Sequence, residues 1–354
     1  MTDENLISNR VTTALLNTNL TFTDVKVSLD RNQILINNPL EGRSDQHFYF
    51  NETYLRKARE ATRSALPVGY RLKPQKLLKF DDLGRLIIDF ETTESKRIDV
   101  DEVEINGYEV PLMKGVNWDI SKEPHALICG ITGSGKSMML KYLFKCFQQM
   151  NAELYVIDPK YSDLYALANK YLSNKHISVT KDDTLELLRG LCELMDRRQR
   201  IITKFTDYEV TDAFKAHMSP IVLFYDELAA LASNFVKKAE KDEYNALLKN
   251  LVLKGRSAGI VVIFSMQKPL ASNIPTEIRD QCSFRLVLGK STPLETRRLV
   301  FGENQKNIVI ENENMQSDEW NMTSVSNYGG WYALPTMSEP FQIFESPNLQ
   351  NLLV

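Results

Sequence analysis

The sequence predicts an α/β protein with a mainly parallel sheet, preceded by a small α+β domain. Three observations carry this. First, short and near-continuous apolar runs at 154–157, 221–225 and 260–264 alternate with helical stretches from about residue 111 onward. Strands buried on both faces read this way, and the intervening helices supply the cover. Second, a glycine-rich segment falls between an apolar strand at 125–129 and an amphipathic helix. Third, the first 110 residues follow another pattern, in which 25–29 alternates apolar and polar residues as a half-buried strand does.

The N-terminal domain is expected over 1–110. Strands are expected at 25–29 and 84–90, and a helix at 52–65 that Pro67 and Gly69 end. Arg56, Lys57, Arg59 and Arg63 give that helix a basic face, read as solvated. The second domain is expected over 111–340. Its helix at 136–150 places Met139, Leu140, Leu143 and Phe147 on one face. A helix at 228–236, a strand at 284–288 and a helix at 292–300 follow. The stretch 311–319, ENENMQSDE, reads as an exposed acidic loop, and 341–354 as a tail.

Bulk composition sets limits. The chain has 354 residues, 43% hydrophobic and 25% charged, with a net charge of −3. This gives no global sign of nucleic-acid binding, although a local basic surface can act inside a near-neutral protein. Cys129, Cys146, Cys192 and Cys282 form no C-x-x-C pair, which argues against zinc and dithiol redox sites. Lone cysteines in apolar runs suggest reduced, buried thiols and a cytoplasmic protein. The N-terminus is polar and acidic, unlike a signal peptide, and no apolar run reaches the roughly 18 residues of a membrane span. Membrane association is therefore expected only through a partner.

Residues 130–137, GITGSGKS, fit G-x-x-x-x-G-K-[ST]. Glycines let successive backbone N–H groups face one anion, and the next helix adds its N-terminal dipole. The candidate ATP-binding residues are Gly130, Ile131, Thr132, Gly133, Ser134, Gly135, Lys136, Ser137 and Met138. Lys136 is spaced to reach the β- and γ-phosphates, and Ser137 to hold Mg²⁺.

The run 221–227, IVLFYDE, is a strand ending in two carboxylates. It would deliver them to the C-terminal edge of the sheet, where ligands bind. Asp226 would act in the coordination shell of Mg²⁺. Glu227 would orient and deprotonate the attacking water. The bland alternative is a surface Asp-Glu pair capping the next helix. Gln267, just past the 260–264 strand, is a candidate to sense the γ-phosphate or hold the water. Arg256 is a candidate to act in trans on a neighbouring subunit's nucleotide, against a solvated helix end. Asp158 and Lys160, after the 154–157 strand, are expected to pair and shape the site. The catalytic candidates are thus Lys136, Asp226, Glu227, Gln267 and Arg256.

Weaker features remain. Arg197, Arg198, Arg200 and Lys204 make a basic helix stripe, and Lys237, Lys238 and Lys241 a second cluster. Either suits DNA phosphates, although most such runs are solvated faces. His47, His125, His176 and His217 are isolated and read as structural.

Taken together, GITGSGKS, IDPKYSDL, IVLFYDELAAL, KGRSAGIVVIFSMQKP and IPTEIRDQCSFRLVL resemble, in order, the motif blocks of the FtsK/SpoIIIE branch of the FtsK–HerA ATPases. The resemblance spans about residues 107–331. It implies a RecA-like P-loop motor domain, assembly into a ring, usually a hexamer, and ATP hydrolysis coupled to movement along double-stranded DNA. DNA would be held by its backbone, without sequence preference. Loops near 233–241 and 273–276 are the candidates for that contact. Unlike the chromosome-segregating members, the sequence shows no N-terminal membrane segment and no room for a C-terminal winged-helix domain. Lys268 stands where those members usually carry arginine. The layout is nearer to compact forms in plasmids, phages and conjugative elements. A second reading is a coupling or recruitment ATPase that binds a relaxase, a replication protein or a membrane-anchored partner. A third is a RecA-like ATPase acting on protein or single strands.

Overall fold

The computed structural model describes residues 3–17, 25–37, 57–59, 61–62, 65–66, 70–73, 79–92, 96–205, 211–232, 234–302, 329–337 and 341–348. They divide into two compact units, the second beginning at Lys96.

The first unit opens with helix α1 (Asp3–Asn17). Ile7, Val11 and Leu15 recur every fourth residue, share one face and are fully buried. Strands β1 (Val25–Ser28), β2 (Gln33–Ile36), β3 (Tyr70–Leu72), β4 (Lys79–Phe80) and β5 (Leu86–Thr92) form an antiparallel sheet in the order β1-β2-β5-β3, with β4 also on β5. Leu86, Ile88 and Phe90 alternate inward, as strand period requires, and meet Ile34, Ile36 and the α1 stripe. Of the helix expected at 52–65, residues 57–59, 61, 62 and 65 are helical, and Ala58, Ala61 and Ala65 join the core. Arg56 and Arg63 lie outside the described residues.

The division between units falls ahead of the 110 boundary expected from the sequence. Ile98, Val100, Val103, Ile105 and Tyr108 pack on the second core, which draws 96–110 into that unit. A hairpin follows, β6 (Glu109–Met113) and β7 (Val116–Asp119). It buries Val110, Leu112 and Trp118 completely.

The main sheet has eight strands, taken with their helices in chain order. They are β8 (Ala126–Gly130), α2 (Lys136–Gln149), β9 (Glu153–Ile157), α3 (Asp163–Tyr171), β10 (Ile177–Ser178), α4 (Lys181–Ile202), β11 (Ile221–Asp226), α5 (Leu228–Ala232), α6 (Lys238–Lys254), β12 (Ile260–Met266), α7 (Thr276–Asp280), β13 (Phe284–Leu288), α8 (Leu294–Phe301), β14 (Gly329–Ala333) and β15 (Gln342–Glu345). The sheet order is β10-β9-β11-β12-β8-β13-β14-β15. From β10 to β13 every pairing is parallel, and β14 and β15 add antiparallel at one end. Every residue of β8, β11 and β12 is buried, which explains their unbroken apolar runs.

Three expectations change. The 228–236 helix stops at Ala232, because the chain turns there and the Asn234 N–H bonds the Leu231 carbonyl. Residues 342–345 are not tail but strand, since Phe344 is fully buried in the second core. The basic stripe of α4 is broken: Arg198 turns inward and donates to the Ser219 and Ala258 carbonyls at 2.7 and 3.3 Å. The acidic stretch 311–319 lies outside the described residues. All four cysteines are buried free thiols. No helix among the described residues is long and apolar enough to cross a membrane.

His125 ties three elements together at the start of β8. Its Nε2 lies 2.9 Å from the Val252 carbonyl, and its Nδ1 accepts the Val262 N–H at 3.1 Å. Both contacts suit the neutral ring with its proton on Nε2. Burial pushes its pKa down to about 4, with the Val252 carbonyl pulling the other way. The unfolded chain therefore binds the extra proton first as pH falls. The stabilisation from the neutral ring is complete above about pH 6.5 and is lost as pH falls toward 4. Urea unfolding across that window should lose at most about 3 kcal/mol from this group. In His125→Gln this share of the pH dependence should vanish.

Candidate functional site

Because β9, β11, β12 and β8 run parallel side by side, the turns that follow them meet at one edge of the sheet. Register fixes the arrangement: Asp226 lies opposite Ser265, and Ser265 opposite Ile128. Gln267 follows Met266, which pairs with Cys129, so it stands beside the start of the glycine-rich loop and is exposed.

Gly133 and Gly135 have φ of +77° and +94°, the left-handed region that side chains resist. Nothing lies within 4 Å of where their Cβ atoms would be, so backbone shape rather than crowding selects glycine there. Gly130 is different: a Cβ would come within 2.5 Å of Ser134 Oγ and 2.7 Å of the Leu288 carbonyl oxygen. Ser134 is buried, and its Oγ has no hydrogen-bond partner among the described residues. Such an orphaned hydroxyl, in a loop whose glycines turn backbone N–H groups to one side, fits a phosphate. Lys136 is the first residue of α2, and Ser137 and Met138 follow in its first turn, all half-buried. That turn offers free N–H groups and the positive end of the helix dipole.

The strand carrying the two carboxylates is anchored from behind, where the Tyr225 hydroxyl meets that of Tyr244 on α6 at 2.7 Å. Asp226 is 9% exposed. Burial pushes its carboxyl up from the ordinary range, and the charges of Asp158 and Glu227 add to this, while Lys136 opposes it. A cation at Asp226 would offset the cost of burying its charge. Among the described residues no group of three or more His, Cys, Asp or Glu side chains is placed to hold a metal ion. Mg²⁺ takes one or two protein oxygens and completes its shell with phosphates and water. The Ser137 hydroxyl and the Asp226 carboxylate are hard oxygen donors of that kind.

Glu227 has φ +49°, uncommon for a residue with a side chain. Its N–H bonds the Ser265 carbonyl at 2.8 Å, which holds the backbone there. Its carboxylate lies 3.4 Å from the Lys160 ammonium. The expected ion pair between Asp158 and Lys160 is therefore corrected. Asp158 is fully buried and accepts the backbone N–H groups of Lys160, Ser162 and Tyr165 at 3.0, 2.9 and 3.1 Å. These bonds satisfy the aspartate and leave the lysine side chain to Glu227. Ser162 Oγ donates to Asp158 at 2.6 Å and lies 3.3 Å from Asp226. Nothing in the sequence alone singles out Ser162; the one signal is a hydroxyl four residues after the aspartate that follows the 154–157 strand.

Arg256 does not join this group. It sits in the turn 255–258 ahead of β12, at the opposite edge, and its Nε lies 3.3 Å from the Ser121 carbonyl oxygen. Seven strand residues separate the two edges, roughly 20 Å. Lys268 pairs with Glu295 at 2.7 Å. Lys237 pairs with Glu240 at 3.1 Å, and Ser233 in the neighbouring loop lies outside the described residues.

Residues 102–220 match the family model described as FtsK/SpoIIIE family. The match takes in about a third of the chain. The matched stretch includes the glycine-rich loop and Asp158, and stops just before β11. The FtsK domain-containing protein YdcQ of Bacillus subtilis (strain 168) is 29% identical over 221 residues, covering 62% of this chain and 45% of YdcQ. The DNA translocase FtsK of Pseudomonas aeruginosa (PAO1) is 30% identical over 214 residues, covering 48% of this chain and 25% of that protein. The chain thus spans less than half the length of either relative. Among solved structures, the pCW3 conjugation coupling protein TcpA, in its monomer form with ATPgS, superposes with a TM-score of 0.58 at 15% identity. That likeness covers 98% of this chain and 96% of TcpA, and it is one of fold. The second unit has a P-loop α/β fold with a mainly parallel sheet, and the small antiparallel unit precedes it in sequence.

Proposed function

We propose that this chain is a Mg²⁺-dependent ATPase that moves double-stranded DNA. The observation that carries the reading is the single sheet edge at which the phosphate loop, Asp226, Glu227 and Gln267 converge, in a chain whose residues 102–220 match the FtsK/SpoIIIE family model. The loop N–H groups and Lys136 bind and orient the phosphates. Ser137 and Asp226 would hold the metal, which when bound would neutralise charge on the phosphates. Glu227 takes the proton of the attacking water, and Gln267 orients that water. The test is ATP hydrolysis by the purified chain with and without long duplex DNA. Strong stimulation by duplex is expected; stimulation by single strands or peptide alone would favour the other substrate class.

The placement of Arg256 supports a ring. An arginine at the far edge cannot serve its own nucleotide, but head-to-tail packing would bring it to a neighbour's. Equimolar mixing of Arg256→Ala and Lys136→Ala chains should then restore about a quarter of the wild-type rate, because one interface in four carries both an intact loop and an intact arginine. Two inactive variants that stay inactive when mixed would sink the trans role. Service to transfer or maintenance of a mobile element is the finer reading, and its support is the fold likeness to the pCW3 conjugation coupling protein TcpA. Its check is whether Lys136→Ala abolishes transfer of the element encoding the chain. If duplex stimulation appears only when a relaxase or replication protein is added, the recruitment reading takes its place.

A further inference from the structure

The turn between β9 and α3 reaches the two carboxylates at two points, and the proposed chemistry uses neither. Lys160 Nζ lies 3.4 Å from Glu227 Oε2, and Ser162 Oγ lies 3.3 Å from Asp226 Oδ2. The turn itself is rigidly built. Asp158 is fully buried and takes four hydrogen bonds from the turn and the first residues of α3, three from N–H groups and one from the Ser162 hydroxyl. Tyr161 adopts φ +53°, a left-handed conformation that persists only where the surroundings hold it. Ser162 also caps α3, accepting the Leu164 N–H at 3.2 Å. The lysine therefore projects from a fixed base, while Glu227 sits on a backbone that is itself left-handed.

We propose that Lys160 is a positioning residue for hydrolysis: its ammonium sets the direction of the Glu227 carboxylate, and the Asp158–Ser162 turn fixes the lysine. This rests on the reading of Glu227 as the water-activating group. The physical need is plain. A glutamate has three side-chain torsions, and a base misplaced by about 1 Å can lose roughly 10²-fold in rate. Glu227 has one described hydrogen bond from its backbone N–H and one ion pair from its side chain, so the lysine is the described contact that orients the carboxylate. The charged groups that act on Asp226, the residue before Glu227, are Asp158 on the turn, Lys136 on α2 and Glu227 itself.

The experiment compares wild type, Lys160→Met and Lys160→Arg in steady-state ATP hydrolysis with duplex DNA, with melting temperature measured alongside. Lys160 is half-exposed, so folding should survive both changes. Lys160→Met should lower kcat about tenfold or more, with KM for ATP within about twofold, and Lys160→Arg should recover most of the loss. A merely structural lysine would move the melting temperature and not split kcat from KM. If Lys160→Met matches wild type, or hydrolyses faster because the lysine restrains Glu227, the positioning role is wrong. If wild type itself does not hydrolyse ATP, the function reading fails instead, so the two failures are distinct.

Discussion

Replacing Glu227 by glutamine is expected to lower ATP hydrolysis by roughly 10²- to 10⁴-fold, the usual contribution of a positioned general base. Glutamine keeps the size and the hydrogen-bonding oxygen and removes only the basic site. Nucleotide binding should survive, because the loop 130–137 lies on a different strand and helix. The left-handed backbone at Glu227 is held by the Ser265 carbonyl and does not depend on side-chain charge. The measurement is turnover of ATP beside binding of a fluorescent analogue, both with duplex DNA. Lost turnover with retained binding is the expected pair. Wild-type turnover in the variant would remove Glu227 from the chemistry and make the Asp226-Glu227 pair a structural cap.

Lys136→Ala should produce the other large effect, and of a different kind. Here binding itself weakens, since a charge-assisted bond to a phosphate is worth about 1.5–3 kcal/mol, or roughly 10- to 100-fold in affinity. Hydrolysis should fall further than binding, because charge on the transferring phosphoryl group depends on the same ammonium. The fold should tolerate the change: Lys136 is half-buried at the helix start, and alanine favours helix. Isothermal titration with a non-hydrolysable analogue would read the first effect, and turnover the second. Unchanged affinity would show that the loop does not hold phosphate through this lysine.

Much of the fold was legible because it is locally encoded. Apolar runs at 221–225 and 260–264 announced strands buried on both faces, and the glycines of 130–137 announced a turn whose backbone must visit φ near +77° and +94°. Less was legible where a segment is neutral by itself. Residues 342–345 hold two adjacent apolar residues, Ile343 and Phe344, between polar ones, and show no alternation. Only pairing with β14 makes them a strand and buries Phe344. The hairpin 109–119 was likewise not marked as strand, since its burial comes from packing on α2, where Tyr142 donates to the Pro111 carbonyl at 2.5 Å.

The candidate site divides along the same line. The residue types and their order, a lysine and serine closing a glycine loop and two carboxylates ending an apolar strand, are properties of contiguous sequence. They determined which chemistry the chain can carry. Tertiary structure decided which groups meet. Asp158 and Lys160 are near neighbours in sequence and of opposite charge, yet backbone N–H groups occupy the aspartate, and the lysine crosses to Glu227 just past the end of β11. Arg256 and Gln267 flank the same strand in sequence and lie at opposite edges of the sheet. A strand's length and the direction of its neighbours set those distances. Both follow from the order β9-β11-β12-β8, which arises from packing over long sequence separations and is not written in any local pattern.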